Sequence, residues 1–449
     1  MMKTALILSL LWSLCSCTTS MRMPAQSTGT GQPRHVIFLV HGIGGDPSHF
    51  GHMEDALKYH LNSQDGNRFQ YEVKSFQYDT GNDKKDVYEF SRDLDQFIAK
   101  SFAFGMGAND RISFVAHSQG GLITSLWILQ AFQKTDGFHS EFADHVDSFT
   151  TLATPFWGAK IAGFATPLKP LATKLLLPIK TGQKQLVDMS FGSDLIYQLR
   201  QNFMENGVFR NIRVLNIGAY VKWVKITPLA LGTDVYEDDT AVILPSSQAD
   251  FYYLKSTNRN YDSKTIAPLT EFKETHLGQF QVVNAIHLSP SVDAPQISRG
   301  ISQVQAECLT DLNCDHPAFK NVFENIRNGS IEKTFDQSAK MTSFLLDLNI
   351  QLPDGNKVEP KDVSVEFVLP KDIDVGRRAE IMSWGGTRSE NKSMVRMYWT
   401  GVVKSEAGSA NKQERKILMK IGAKHYKSRT LEVPVKAMES TFIELNLEK

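Results

Sequence analysis

The residue best placed for covalent chemistry is a serine. Ser118 lies in Ala116-His117-Ser118-Gln119-Gly120, directly after the apolar run RISFVA and directly before Gly121 and the apolar run LITSLWILQAF. That context puts it on a turn between a strand and a helix. A serine hydroxyl is a weak nucleophile until a base removes its proton and a carboxylate orients the base. The chain holds candidates for both: His276 and His287 as base, Asp238 and Asp239 as acid. A glycine-rich stretch, His41-Gly42-Ile43-Gly44-Gly45, ends another apolar run, HVIFLV. It is no phosphate loop of the usual kind, because no Lys-Ser/Thr pair follows the glycines.

The elements that would position these residues alternate along residues 34–330. Strand-like runs at 35–40, 69–78, 111–116, 147–153 and 211–218 are separated by apolar residues at helical spacing, such as Val87, Phe90, Leu94, Phe97 and Ile98. Alternation of this kind predicts an α/β fold with a mostly parallel sheet and helices on both faces. In such sheets the chemistry sits beyond the carboxyl ends of the strands, which is where Ser118 and the 41–45 stretch lie.

Three segments resemble the α/β-hydrolase family, in particular bacterial lipases and esterases, including the GPI inositol-deacylase-like enzymes. AHSQG resembles the nucleophile elbow, with Ala116 where Gly is customary. His41-Gly42-Ile43 resembles the HG segment of the oxyanion hole. Thr154-Pro155-Phe156-Trp157-Gly158 resembles TPHxG, with Phe156 where His is common. The resemblance implies Ser118 as nucleophile and the backbone N–H groups of Ile43 and Gln119 as oxyanion donors. Family order then places the acid and the histidine downstream. Asp238-Asp239-Thr240-Ala241-Val242 resembles the family's DGxV segment, which points to Asp239, with Asp238 as the alternative and Thr240 in place of Gly. His287 follows the run QFQVVNAI, which suits the last strand; His276 is the alternative base. The resemblance also implies a cap or lid over about 159–200. Apolar residues at 161–179, with Phe156 and Trp157 next to them, would line a site for fatty chains.

From 331 to 449 the pattern changes to alternation, at Val363-Ser364-Val365, 397–403 and Ile443-Glu444-Leu445, with a turn signal at Asp354-Gly355. This predicts a β-sandwich-like domain. Residues 412–429 carry Lys412, Arg415, Lys416, Lys420, Lys424, Lys427 and Arg429 against Glu414, either a patch for anionic groups or a solvated hairpin face.

At the other end, the apolar run at 4–14 is as long as the core of a signal peptide and too short to span a bilayer. Leu14-Cys15-Ser16-Cys17 resembles a bacterial lipobox. The resemblance implies a signal peptide at 1–16, lipidation of Cys17 and a tether over 17–33. Thr18 after the Cys favours the outer membrane of the bacterial cell envelope. In an exported chain Cys308 and Cys314 suit a disulfide loop; two free thiols are the alternative, and the spacing with His316 fits no standard zinc pattern.

The whole chain has 449 residues, 49 basic and 49 acidic, with 41% hydrophobic residues. That composition is globular, and the charge balance argues against a nucleic-acid partner. The expected function is a lipid-anchored serine hydrolase of lipid esters, a lipase, phospholipase or esterase, acting without metal or cofactor. An acyltransferase with the same triad, and a non-catalytic binding protein on a hydrolase scaffold, are the alternatives.

Overall fold

The computed structural model describes residues 32–103, 105–159, 182–205, 207–221, 237–288, 299–331, 343–356, 358–369, 378–383, 393–399 and 415–449. Six parallel strands form the first sheet: β1 (Arg34–Val40), β2 (Gln70–Phe76), β3 (Arg111–His117), β4 (Val146–Leu152), β5 (Arg213–Tyr220) and β8 (Gln279–Asn284). Their order in space is β2-β1-β3-β4-β5-β8, every pairing parallel.

The continuous apolar run of β1 is explained by burial on both faces. Val36, Phe38 and Val40 face one core together with α2 (Val87–Ser101) and α3 (Gln119–Phe132). Ile37 and Leu39 face the other, with α1 (Met53–Asp65) and the helix Phe319–Arg327. A strand alternates its side chains between faces, so a sheet covered on both sides needs apolar residues at every position. α2 starts where Asp86 caps it in a reciprocal capping box with Glu89.

The remaining strands form two more sheets. One has the order β11 (Arg378–Ser383), β12 (Ser393–Trp399), β9 (Phe344–Gln351), β15 (Ser440–Asn446), β6 (Phe251–Ser256) and β7 (Glu271–Thr275). The other is β10 (Val363–Leu369), β13 (Arg415–Ala423) and β14 (Arg429–Val435). The six-stranded sheet is a septum. Its residues Phe251, Tyr253, Leu345, Met394, Tyr398 and Phe442 join the core of the parallel sheet's domain. The alternate residues, among them Leu346, Val395, Met397 and Ile443, pack on Ile417, Met419 and Val433 of the three-stranded sheet. The C-terminal sandwich-like arrangement anticipated from the alternation is therefore present. Its pairing crosses the boundary expected at 330/331, because β6 and β7 leave the hydrolase segment and β6 runs parallel to β15.

The expected signal peptide at 1–16, Cys17 and the apolar 161–179 run lie outside the described residues. Among the described residues no helix is long and apolar enough to cross a membrane. Cys308 and Cys314 form a disulfide. Within the basic run Lys416 lies 3.1 Å from Glu432, Lys420 stands opposite Glu366 in the ladder, Arg429 is buried on Ser256, and Lys424 and Lys427 are exposed. Lys412 lies outside the described residues.

Candidate active site

Ser118 sits between β3 and α3 with φ 53° and ψ −125°, a conformation a non-glycine residue takes only under constraint. The constraint is visible. Its amide donates to the carbonyl of Leu152 at 2.9 Å, and the helix that follows lies almost against the backbone of β1. A Cβ on Gly120 would come within 2.2 Å of the Val40 carbonyl oxygen, and one on Gly121 within 1.9 Å of Thr154 Oγ1. Only glycine allows that approach, so the small residues after the serine are needed to turn the chain and lift the hydroxyl out of the sheet.

Three side chains from three separate loops meet there. Ser118 Oγ donates to His287 Nε2 at 2.9 Å, and His287 Nδ1–H donates to Asp239 Oδ2 at 2.7 Å. The other oxygen, Asp239 Oδ1, accepts the amides of Ala241 at 3.0 Å and Val242 at 2.7 Å. The His287 amide donates to the Asp239 carbonyl at 2.8 Å, so backbone and side chain are fixed together. Asp239 is fully buried; His287 keeps a narrow exposed edge. The alternatives are placed elsewhere. Asp238 Oδ1 accepts the Thr240 amide and holds the turn, while His276 is exposed beside Glu274 at 3.2 Å. Thr240, standing where glycine is customary, adopts φ +94°. The turn keeps the glycine shape and a β-branched residue bears the strain.

The stretch after β1 closes the site from the other side. A Cβ on Gly42 would fall 2.7 Å from that of Ser118, so the loop lies against the nucleophile. The amides of Ile43 and Gln119 have no acceptor among the described residues. Tyr78 fixes this loop, its hydroxyl lying 2.7 Å from the His41 carbonyl and 3.2 Å from Gln119 Oε1, with its ring stacked on His41 at 4.3 Å. Burial pushes His41 down to about 4, so it stays neutral at physiological pH and its Nδ1–H donates to Gly42. His117 is held well below the usual histidine range, first by burial and then by His287 nearby.

His117, beside the nucleophile in the elbow, carries no role in the sequence motif. In the structure its Nε2–H donates to the carbonyl of His287 at 3.1 Å, with the two rings 4.7 Å apart. Ser246, in the run that follows Asp239, accepts from the Trp157 amide at 3.2 Å and donates to the Gly158 carbonyl at 2.8 Å, tying the acid loop to the TPFWG loop. Phe156 and Trp157 are both buried, Trp157 against Phe203 and Phe251 with the Arg200 guanidinium 4.6 Å from its ring. Of the cap expected over about 159–200, residues 159 and 182–200 are described; they include the helix Gln183–Asp188, anchored by Gly182 to the Thr80 carbonyl and by Asp188 to the Val87 amide. Among the described residues no group of three His, Cys, Asp or Glu is placed to hold a metal ion.

With this geometry established, comparisons locate the chain among known proteins. The phospholipase PlaB of Legionella pneumophila superimposes with a TM-score of 0.69 at 14% identity, over 92% of this chain and 94% of that one. Its complex with thio-NAD gives 0.66 at 13% identity over the same shares. The chain folds as an α/β hydrolase. Residues 30–181, which contain the elbow and the glycine-rich stretch, match the family described as "Putative serine esterase (DUF676)". The mature form of Bacillus licheniformis lipase BlEst2 is more remote, 17% identical over 50% of this chain and 83% of that chain, with a TM-score of 0.36. No curated protein matches the chain.

Proposed function

We propose that this chain is a serine esterase that cleaves carboxylic esters of lipids, with Ser118 as nucleophile, His287 as base and Asp239 as orienting acid. The observation that carries this reading is the unbroken hydrogen-bond series from Ser118 Oγ through His287 to Asp239. His287 Nε2 takes the proton as Ser118 Oγ attacks the ester carbonyl. The amides of Ile43 and Gln119 receive the oxyanion, a contribution of roughly 10² to 10³ in rate for one such donor. The imidazolium gives its proton to the leaving alcohol, and an acyl-serine forms. A water, deprotonated by the same histidine, then attacks that ester and releases the acid.

The lipid assignment draws on the apolar sequence at 161–179 and on the name of the phospholipase that shares the fold. Anchorage draws on the Cys17 segment. An acylated Cys17 would hold the enzyme at the outer membrane, where each buried methylene contributes about 0.8 kcal/mol. The test uses protein with Cys17 replaced, phosphatidylcholine in mixed micelles, and titration of released fatty acid. Wild type is expected to turn over, with at least about 10³-fold loss in Ser118→Ala. Equal release by the two proteins would exclude the esterase reading.

A further inference from the structure

The parallel-sheet domain carries all three members of the Ser118 relay, yet two of the loops it uses are held from outside that domain. Strand β12 alternates. Val395, Met397 and Trp399 face the three-stranded sheet, while Met394, Arg396 and Tyr398 face the hydrolase body. Tyr398 Oη accepts the amide of Glu237 at 2.8 Å, two residues before Asp239. The side chain of the same Glu237 accepts the Ser343 amide at 2.9 Å, at the start of β9, and its carbonyl accepts the Leu244 amide at 2.9 Å. The acid loop is thus suspended between β12 and β9.

Arg396 does the equivalent for the loop after β4. Its guanidinium is forked on Asp347 at 2.7 and 2.8 Å, and it also donates to the Trp157 carbonyl at 2.5 Å. Arg200 binds the same carboxylate from the hydrolase side, and both guanidiniums lie against aromatic rings, Arg396 4.1 Å from Phe191. All three charged groups are buried, so the fork has little freedom to shift. The loop it holds abuts the elbow through Thr154, and Ser246 joins it to the acid loop.

We infer that β12 is the positioning strand of the active site: Tyr398 and Arg396, without touching substrate, set the Asp239 loop and the Trp157 loop at the separation the Ser118–His287–Asp239 relay requires. The C-terminal sandwich is on this view part of the catalytic apparatus and not an appendage. A template strand of this kind suits a site whose acid and nucleophile lie 121 positions apart in the chain. A shift of about 1 Å in a positioning element costs up to about 10²-fold in rate.

The inference rests on the proposed esterase reading, and its test separates the two. Tyr398→Phe keeps the ring and removes the acceptor for the Glu237 amide. Arg396→Lys keeps the charge but cannot serve the Asp347 fork and the Trp157 carbonyl together. Met397→Ala removes core from the same strand on its other face and reports stability loss alone. Three quantities are read in the full chain: kcat and KM on a short-chain ester, the thermal midpoint, and the downfield proton resonance of His287 Nδ1–H. In Tyr398→Phe and Arg396→Lys, kcat is expected to fall by about 10- to 10²-fold with KM nearly constant. The proton resonance should move in Tyr398→Phe and stay put in Met397→Ala, whose midpoint falls further. Unchanged kcat and resonance in Tyr398→Phe would overturn the inference, as would an equal kcat loss in Met397→Ala. A wild type without ester turnover whose resonance still responds to Tyr398→Phe alone would keep the positioning role and remove the esterase reading.

Discussion

Asp239→Asn alters one atom of the site, and the structure dictates which way the new amide faces. Asp239 Oδ1 accepts two backbone amides, Ala241 and Val242, while Oδ2 faces His287 Nδ1. An NH₂ group turned toward Ala241 and Val242 would put donor against donor twice, at about 1–3 kcal/mol for each buried group left unpaired. The asparagine oxygen therefore keeps the Oδ1 position and its NH₂ meets His287. His287 Nδ1 must then accept, its proton moves to Nε2, and Nε2 becomes a donor toward Ser118. A base in that tautomer cannot take the serine proton. The expected loss in kcat is about 10⁴-fold, equivalent to about 5.5 kcal/mol of transition-state stabilisation, with little change in KM. The thermal midpoint should stay near that of wild type, because both backbone bonds to the loop survive. Chromogenic ester hydrolysis at neutral pH measures the rate, and thermal unfolding measures the fold. A loss smaller than about tenfold in a folded variant would refute the tautomer argument.

Three further outcomes follow from the same coordinates. His276→Ala should leave kcat unchanged, since His276 is exposed beside Glu274, and steady-state kinetics on a short-chain ester checks this. Thr240→Gly should raise stability by about 1 kcal/mol in urea unfolding, because the strain of a β-branched residue at φ +94° outweighs glycine's extra freedom in the unfolded chain. Acid should destabilise the fold well above the carboxylate range. Burial pushes His35 and His41 down to about 4 and His316 to about 3, so below 6.5 the unfolded chain takes up protons that the folded chain refuses. Asp250, pushed up to about 6 by burial, acts oppositely, gaining a proton in the folded state first. These four groups together lose about 4 kcal/mol between pH 7 and pH 5, and His117, also held low by burial, adds to that loss; a difference under about 1 kcal/mol in urea unfolding would contradict it.

Much of the site was legible because its parts are local. Ser118 and the two glycines after it form one contiguous turn, and a sharp strand-to-helix reversal leaves little choice of residue type. Asp239 was pointed to by its resemblance to the family's acid segment, and His287 by the family's order and the strand-like run before it. β1 and β3 were legible for a similar reason: burial on both faces writes itself into every position of a run such as HVIFLV. What stayed hidden depends on contacts between distant residues. Nothing in FYYLKS says that β6 will pair with the distant β15 as well as with β7, the next strand in sequence. The buried Arg200–Asp347–Arg396 group joins residues from three elements, and each looks singly like a surface charge. Phe156 and Trp157 were read as pocket wall because they are aromatic and beside the elbow. The contacts of Trp157 with Phe251 and Arg396 of the C-terminal sheet could be seen only once folded.

The central claim is that Ser118 is an activated nucleophile with His287 as its base. Incubating the protein, with Cys17 replaced, with a fluorophosphonate and mapping the modified peptide tests it most directly. Modification is expected at Ser118, lost in His287→Ala and retained in His276→Ala. Modification of another serine, or of Ser118 at the same rate in His287→Ala as in wild type, would contradict the account.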